Sequence, residues 1–234
     1  MEKQNKRKND QIQKIFQSDQ FNQLDTSEFE NKFKNEECYP ELKNLKSIHT
    51  DVVMGACKLS KGQLDSRGNR SSGWGVNEKR GNKPYYPPIG WIGIGLKVMD
   101  KFDDNNIWIG KNNIQGEWCV AYHGVGCGQS SDNVKRITGL IYNVGFKPGQ
   151  GRAYSEYPDK YHEGKLVGNG VYCMPKTENA ENYAGISEIN GKRYKTLLMV
   201  KVKPDAIRSY DDYYWVVNGN VDEIRPYRIL YKEC

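Results

Sequence analysis

Two short signatures limit what this chain can fold into. The first is Trp118-Cys119-Val120-Ala121-Tyr122-His123-Gly124, an apolar run that reads as a strand ending in a His-Gly pair. The second is Gly168-Asn169-Gly170-Val171-Tyr172, a glycine-flanked strand that delivers a tyrosine; ten residues then intervene before Tyr183. Between them, Ser131-Asp132-Asn133 offers N-cap candidates for a helix whose apolar side takes in Val134, Ile137, Ile141 and Tyr142. Val144-Gly145-Phe146 reads as the turn from that helix back to a strand, and Glu178 to Tyr183 as a short second helix. The order is therefore strand, helix, strand, helix, with a His-Gly and two tyrosines at the junctions.

The flanking chain falls into three stretches. Residues 1–37 are rich in Lys, Asn, Gln and acids. Ile12, Ile15, Phe16 and Phe21 could line a short helix over residues 9–22, but so polar a segment buries too little to order itself, and a protein partner is the expected source of order. Residues 38–85 read as a loop-rich extension with a small apolar patch, Leu42, Leu45 and Ile48, followed by His49, an ordinary loop histidine. Tyr85-Tyr86-Pro87-Pro88 marks a boundary, because two prolines forbid helix and central strand alike. From residue 86 to 234 the signals become dense. Trp91 to Val98 is an apolar run whose glycines lack the spacing of a phosphate loop and fit a strand with close backbone packing. Phe102 to Ile109 reads as a polar turn leading into another strand, without the glycine and distal glutamate of an EF-hand. Thr196 to Val202 is a buried strand ended by Pro204, and Trp215 to Gly219 and Tyr227 to Tyr231 are expected to pair as late strands around a turn. The class is α+β: many strands and a few short helices.

Composition removes several function classes. The net charge of +6 is spread thinly: −1 over residues 1–37, +4 over 38–118 and +3 over the remainder. No stretch is basic enough to form a nucleic-acid surface, which argues against that partner. The six cysteines (38, 57, 119, 127, 173, 234) show no CxxC and no histidine at zinc-ligand spacing, so no metal is expected. Cys119 and Cys173 lie inside apolar runs and read as small buried hydrophobes. No apolar run reaches the length of a membrane span and no leader-like segment opens the sequence, so intracellular residence, cytoplasmic or nuclear, with reduced thiols is the expectation.

Taken together, His123-Gly124, Gly168-x-Gly170-Val171-Tyr172 and Tyr183 resemble the motifs of the poly(ADP-ribose) polymerase-like ADP-ribosyltransferases. The resemblance covers roughly residues 115–234, and more weakly the strands from Trp91. It implies a split antiparallel β-sheet core with a few short helices behind a polar N-terminal extension, and NAD as substrate. It also implies roles: His123 on a ribose hydroxyl, the Gly124 backbone on the nicotinamide carboxamide, Tyr172 beside the ribose, and Tyr183 stacked on the nicotinamide ring. These residue types suit that chemistry independently. Cleavage at the nicotinamide–ribose bond passes through an oxocarbenium-like state, so a catalyst mainly orients the ring and stabilises developing charge. An aromatic face grips a flat cation, and a neutral imidazole nitrogen bonds a hydroxyl. Each residue also has a plainer reading: His123 as an edge or core histidine, and the tyrosines, two of sixteen, as packing material.

Two positions depart from the resemblance. Where the family has a serine three residues before the stacking tyrosine, this chain has Ala180, with Thr177 the neighbouring hydroxyl. The family's third motif places a glutamate near the start of a late strand. If Pro226 to Leu230 is that strand, Tyr227 holds the glutamate position; Glu223 lies four residues earlier, and Val221 stands where toxin-type transferases carry a Gln or Glu. Without that carboxylate, the resemblance implies a mono- rather than a poly-transferase, with Glu223 as the candidate activator. The alternative is an inactive transferase-fold protein serving in a larger assembly, with aromatic residues around Tyr210–Trp215 as interface candidates.

Overall fold

A computed structural model describes residues 57, 59–71, 73–75, 78–102, 105–148, 161–162, 165–166, 170–209 and 213–234. The tail of residues 1–37, its helix over 9–22, the patch at Leu42, Leu45, Ile48 and His49, and the pair Gly168-Asn169 lie outside the described residues. The fold is mixed α/β, mostly antiparallel, with few short helices. Its strands are β1 (Lys79–Arg80), β2 (Lys83–Pro84), β3 (Ile92–Gly95), β4 (Cys119–Gly124), β5 (Tyr161–His162), β6 (Lys165–Leu166), β7 (Val171–Cys173), β8 (Gly185–Ile189), β9 (Lys192–Val202), β10 (Arg208–Ser209), β11 (Trp215–Val217) and β12 (Ile224–Glu233). The helices are α1 (Ser131–Val144) and α2 (Thr177–Ala180), the latter continued by a 3-10 turn over Glu181–Tyr183.

The larger sheet runs β3-β12-β9-β4, with β8 also on β9. Strand β9 organises it. Residues 196–202 are all buried because both faces of the sheet are covered, which explains the apolar run Leu197–Val200 and the lack of alternation. Burial of side chains such as Leu198 and Ile229, each 0% exposed, contributes about 1.5–3 kcal/mol apiece. One edge of β9 is covered by β12. The other edge is shared: β4 pairs along it from Val202 to Leu197, and β8 continues from Thr196 to Lys192. Strands β4 and β8 therefore meet end to end at Gly124 and Gly185. A side chain at 185 would come within 2.5 Å of the Val125 and Gly126 carbonyls, so glycine is needed at this break.

The smaller sheet, β10-β11-β7, joins the larger one through Tyr122 and Met174, whose backbones exchange two hydrogen bonds of 2.8 Å. Helix α1 starts one residue earlier than its sequence candidates. Ser130 is the N-cap and accepts from the Asn133 N–H; Gly145, at φ 85°, closes the other end. Val134, Thr138, Ile141 and Tyr142 face the core, and the Tyr142 hydroxyl donates to the Lys97 carbonyl at 2.7 Å.

Two strand expectations are corrected. Ile107–Ile109 is a 3-10 turn rather than a strand: Asn106 enters it in a left-handed conformation (φ 59°), and Trp108 turns inward between Phe102 and Trp118. The late strands β11 and β12 do not pair with each other. Strand β11 takes β7 and β10 as neighbours, whereas β12 takes β3 and β9, so they belong to different sheets. The described residues before the proline boundary join two buried clusters, Cys57 and Leu59 in one and Trp74 and Tyr85 in the other, and Leu64 and Arg70 are bridged to Leu96 and Gly93. The glycines of β3 do mark close packing: a Cβ at Gly95 would meet the Asp65 carbonyl at 2.3 Å, and one at Gly93 would meet Arg228 and Trp74.

Among the described residues no helix is long and apolar enough to cross a membrane. Cys57, Cys119, Cys127, Cys173 and Cys234 are free thiols. Burial pushes the Cys57 and Cys119 thiols up to about 11, so they are inert packing groups.

Candidate functional site

The break between β4 and β8 positions the candidate site. Strand β4 is buried from Cys119 to Tyr122, and its last two residues, His123 and Gly124, emerge half-buried where the two sheets meet. The His123 ring is fixed on two sides. Its Nδ1 lies 2.8 Å from the Tyr172 carbonyl oxygen, and its edge meets the Phe146 ring at 5.0 Å and 80°. A carbonyl can only accept, so Nδ1 carries the proton and Nε2 presents a lone pair. Burial lowers the imidazole pKa, against a smaller opposing effect of the Tyr172 carbonyl, so the ring is neutral at pH 7. The seam thus holds a neutral hydrogen-bond acceptor in a set orientation.

Tyr172 comes from β7, whose pairing with β11 sets its position. Its neighbour Gly170 packs where a Cβ would strike Val216 and the Val217 carbonyl at 2.6 Å. Tyr183 ends the 3-10 turn after α2 and passes directly over Gly124; a Cβ at 124 would fall 2.5 Å from the Tyr183 backbone. Close approach is therefore the reason for glycine here, and the residue filling that space is Tyr183 itself. His123 thus adjoins the Tyr172 backbone, and Gly124 the Tyr183 backbone.

Between the two tyrosines stands a residue the sequence reading did not single out by itself. Tyr214, immediately before β11, meets the Tyr172 ring edge-on at 5.9 Å and the Tyr183 ring at 6.4 Å, and its hydroxyl is 2.7 Å from the Tyr183 hydroxyl. Tyr213 packs on it at 4.5 Å and is tied to Asn182. The available signal was the Tyr213-Tyr214-Trp215 run, an aromatic cluster ahead of a strand.

The remaining expected positions are elsewhere. Ala180 is fully buried inside α2, and Thr177, in its first turn, is buried too. Glu223 lies in the turn before β12, where its carboxylate accepts from the Asn218 backbone at 2.7 Å and from the Asn218 and Asn220 side chains at 2.9 and 3.2 Å. Burial would raise its pKa, but these hydrogen bonds outweigh it and hold the carboxyl below its ordinary value. The register puts its neighbour Ile224 level with Val202 and Cys119, whereas His123 is level with Leu198 and Ile229. Four residues of strand separate Cys119 from His123, roughly 13 Å. Glu223 is a turn-forming carboxylate at the far end of the sheet. Tyr227 occupies a bulge in β12 between Pro226 and Arg228; its ring lies beside Arg228, within the electrostatic reach of Tyr85, Arg70 and Arg80, and lines a different cavity.

Among the described residues no group of three or more His, Cys, Asp or Glu side chains is placed to hold a metal ion. No family model matches the chain, and no curated protein matches it.

Proposed function

We propose that this chain is an NAD-dependent mono-ADP-ribosyltransferase of the polymerase-like kind, with its nicotinamide–ribose site at the seam of the two sheets. The observation that carries the reading is the neutral His123, fixed on the Tyr172 carbonyl at a strand end that the Tyr183 backbone crosses, with Tyr214 packed against the Tyr172 and Tyr183 rings. In this reading Nε2 accepts a hydrogen bond from a ribose hydroxyl, and the tyrosine faces take the flat cationic nicotinamide. The bond from ribose C1′ to the nicotinamide nitrogen breaks, with its electron pair leaving on nicotinamide. A protein nucleophile forms the new bond to C1′ and gives up its proton. The two sheets, tied at Tyr122 and Met174 where β4 meets the end of β7, support the split-sheet architecture that the resemblance implies. Because Tyr214 immediately precedes a late strand and stands beside both motif tyrosines, it is a better counterpart of the family's glutamate than Tyr227. A tyrosine there cannot serve as a carboxylate base, which supports single transfer over chain elongation.

The same tyrosine favours one other reading, an inactive transferase-fold partner in an assembly. Its phenol is already hydrogen-bonded to Tyr183, a contact that stability alone explains. Release of nicotinamide from NAD by the purified full chain separates the two. Turnover that falls at least about a hundredfold in His123→Ala supports the enzyme. A folded wild-type protein that releases no nicotinamide, with or without added cell protein as acceptor, excludes it.

A further inference from the structure

A cavity of about 690 Å3 lies at the β3–β12 end of the larger sheet, bordered by Asp65, Gly68, Arg70, Trp74 and Arg80. None of His123, Tyr172, Tyr183 or Tyr214 lines it. Its charge is one-sided. Three of its cations have carboxylate partners: Arg67 grips Asp65 with bonds of 2.7 and 2.9 Å, Arg80 pairs with Glu78, and Lys201 lies 3.4 Å from Glu117. Arg70 and Arg228 do not. Among the described residues no carboxylate lies within ion-pair distance of either.

Arg228 is 9% exposed; its Nε donates to the Gly68 carbonyl at 2.7 Å, one Nη contacts the Met199 sulfur at 3.4 Å, and its plane lies over Trp74 and Tyr227. The rest of its donor fork is unused. Arg70, half-buried, makes no side-chain hydrogen bond to the described residues; burial and the nearby Arg228 both disfavour its charge. Two guanidiniums held near each other without a counter-charge are an expensive arrangement that core packing does not call for. The glycines of β3 make room for it, since a Cβ at Gly93 would collide with the Arg228 stem and the Trp74 ring at 2.6 and 2.7 Å.

We propose that this cavity binds a phosphorylated small molecule of nucleotide size, with its phosphate between the Arg70 and Arg228 guanidiniums. Planar forks of N–H donors match the several oxygens of a phosphate. The volume far exceeds that of a bare ion and suits a ligand with a ring system, for which Leu96, Val98 and Met99 supply apolar wall. The site is separate from the proposed NAD site and does not depend on it.

The test is calorimetry and thermal unfolding of the full-length protein with AMP, inorganic phosphate and adenosine. AMP binds and raises Tm, phosphate binds more weakly, and adenosine binds at least about tenfold more weakly than AMP. Arg70→Gln weakens AMP roughly tenfold to a hundredfold, while the ligand-free variant keeps or exceeds the wild-type Tm. That unchanged Tm sets a binding arginine apart from a structural one. Absence of both heat and a Tm shift with millimolar AMP overturns the proposal, as does equal AMP affinity in Arg70→Gln. Equal affinity for phosphate and AMP overturns the nucleotide-sized ligand. Displacement of AMP by excess nicotinamide would assign the binding to the tyrosine seam instead.

Discussion

The tyrosine seam and the arginine cavity lie in one fold but use opposite electrostatics. At the seam the contacts linking His123, Tyr172, Tyr183 and Tyr214 are between neutral groups: an imidazole N–H on a carbonyl, a phenol on a phenol, rings edge to face. The cavity instead gathers four guanidiniums and two lysines against two lining carboxylates, Asp65 and Glu78. Neutral sites are stable by themselves, whereas charged ones are only as stable as their counter-charges.

The sharpest probe of that contrast is Glu117→Gln. Lys201 is 2% exposed, and its ammonium donates to the Gly110 and Trp118 carbonyls at 2.7 and 2.9 Å beside the buried Glu117 carboxylate. Loss of that carboxylate leaves a buried charge unpaired, and we expect about 3–5 kcal/mol of destabilisation in denaturant melts. A cost below about 1 kcal/mol would show that water reaches Lys201 and that the cavity is not dry. At the seam the largest structural effect is steric. Gly124→Ala drives a methyl into the Tyr183 backbone, with an expected cost of about 1–3 kcal/mol in the same melts. Tyr214→Phe removes a single neutral hydroxyl pair and is expected to cost about 0.5–1.5 kcal/mol. A loss as large as that of Glu117→Gln would erase the distinction between the two regions.

Proton linkage gives a smaller effect, in a different pH range for each region. His123 is depressed below its ordinary value, so its contribution is present above about pH 6.5 and is lost as pH falls through the lowered folded pKa. Stability measured from pH 7 downward should fall less steeply in His123→Gln. Lys201 is lowered by burial to about 8, against the opposing pull of Glu117, while its unfolded value is 10.5. Its contribution therefore rises with pH from about 8 toward 10.5. The clean window is pH 8 to 9, because Cys57 and Cys119, raised to about 11 from 9.0, withdraw stability above that. Lys201→Met should flatten the rise between pH 8 and 9; an unchanged slope would assign it to another group.

Much of this was legible in the residues, for a local reason. A strand ending in His-Gly, a capped amphipathic helix and a Gly-flanked strand ending in Tyr are each written in short-range pattern. Their order along the chain brought His123, Gly124, Tyr172 and Tyr183 to one seam. The buried part of β9, Thr196 to Val202, was equally plain from the apolar run Leu197–Val200. Strand pairing was not, because β11 and β12 have compatible patterns and only the tertiary fold assigns them to separate sheets. That choice sets Tyr214, rather than Tyr227, against the Tyr172 and Tyr183 rings, and it leaves Glu223 in a turn at the far end of the sheet.

The sequence by itself determined which residue types meet at the seam, since local hydrophobic period and glycine placement fix strand ends and helix faces. Only the tertiary structure decided which tyrosine completes it, which carboxylate is structural, and where cations gather without partners. Arg70 and Arg228, 158 positions apart in the chain, become neighbours because Gly93 and Gly95 let the segment around residues 65–74 lie flat against β3, next to β12. Long-range contact of that kind leaves no periodic trace in sequence; it is a property of packing.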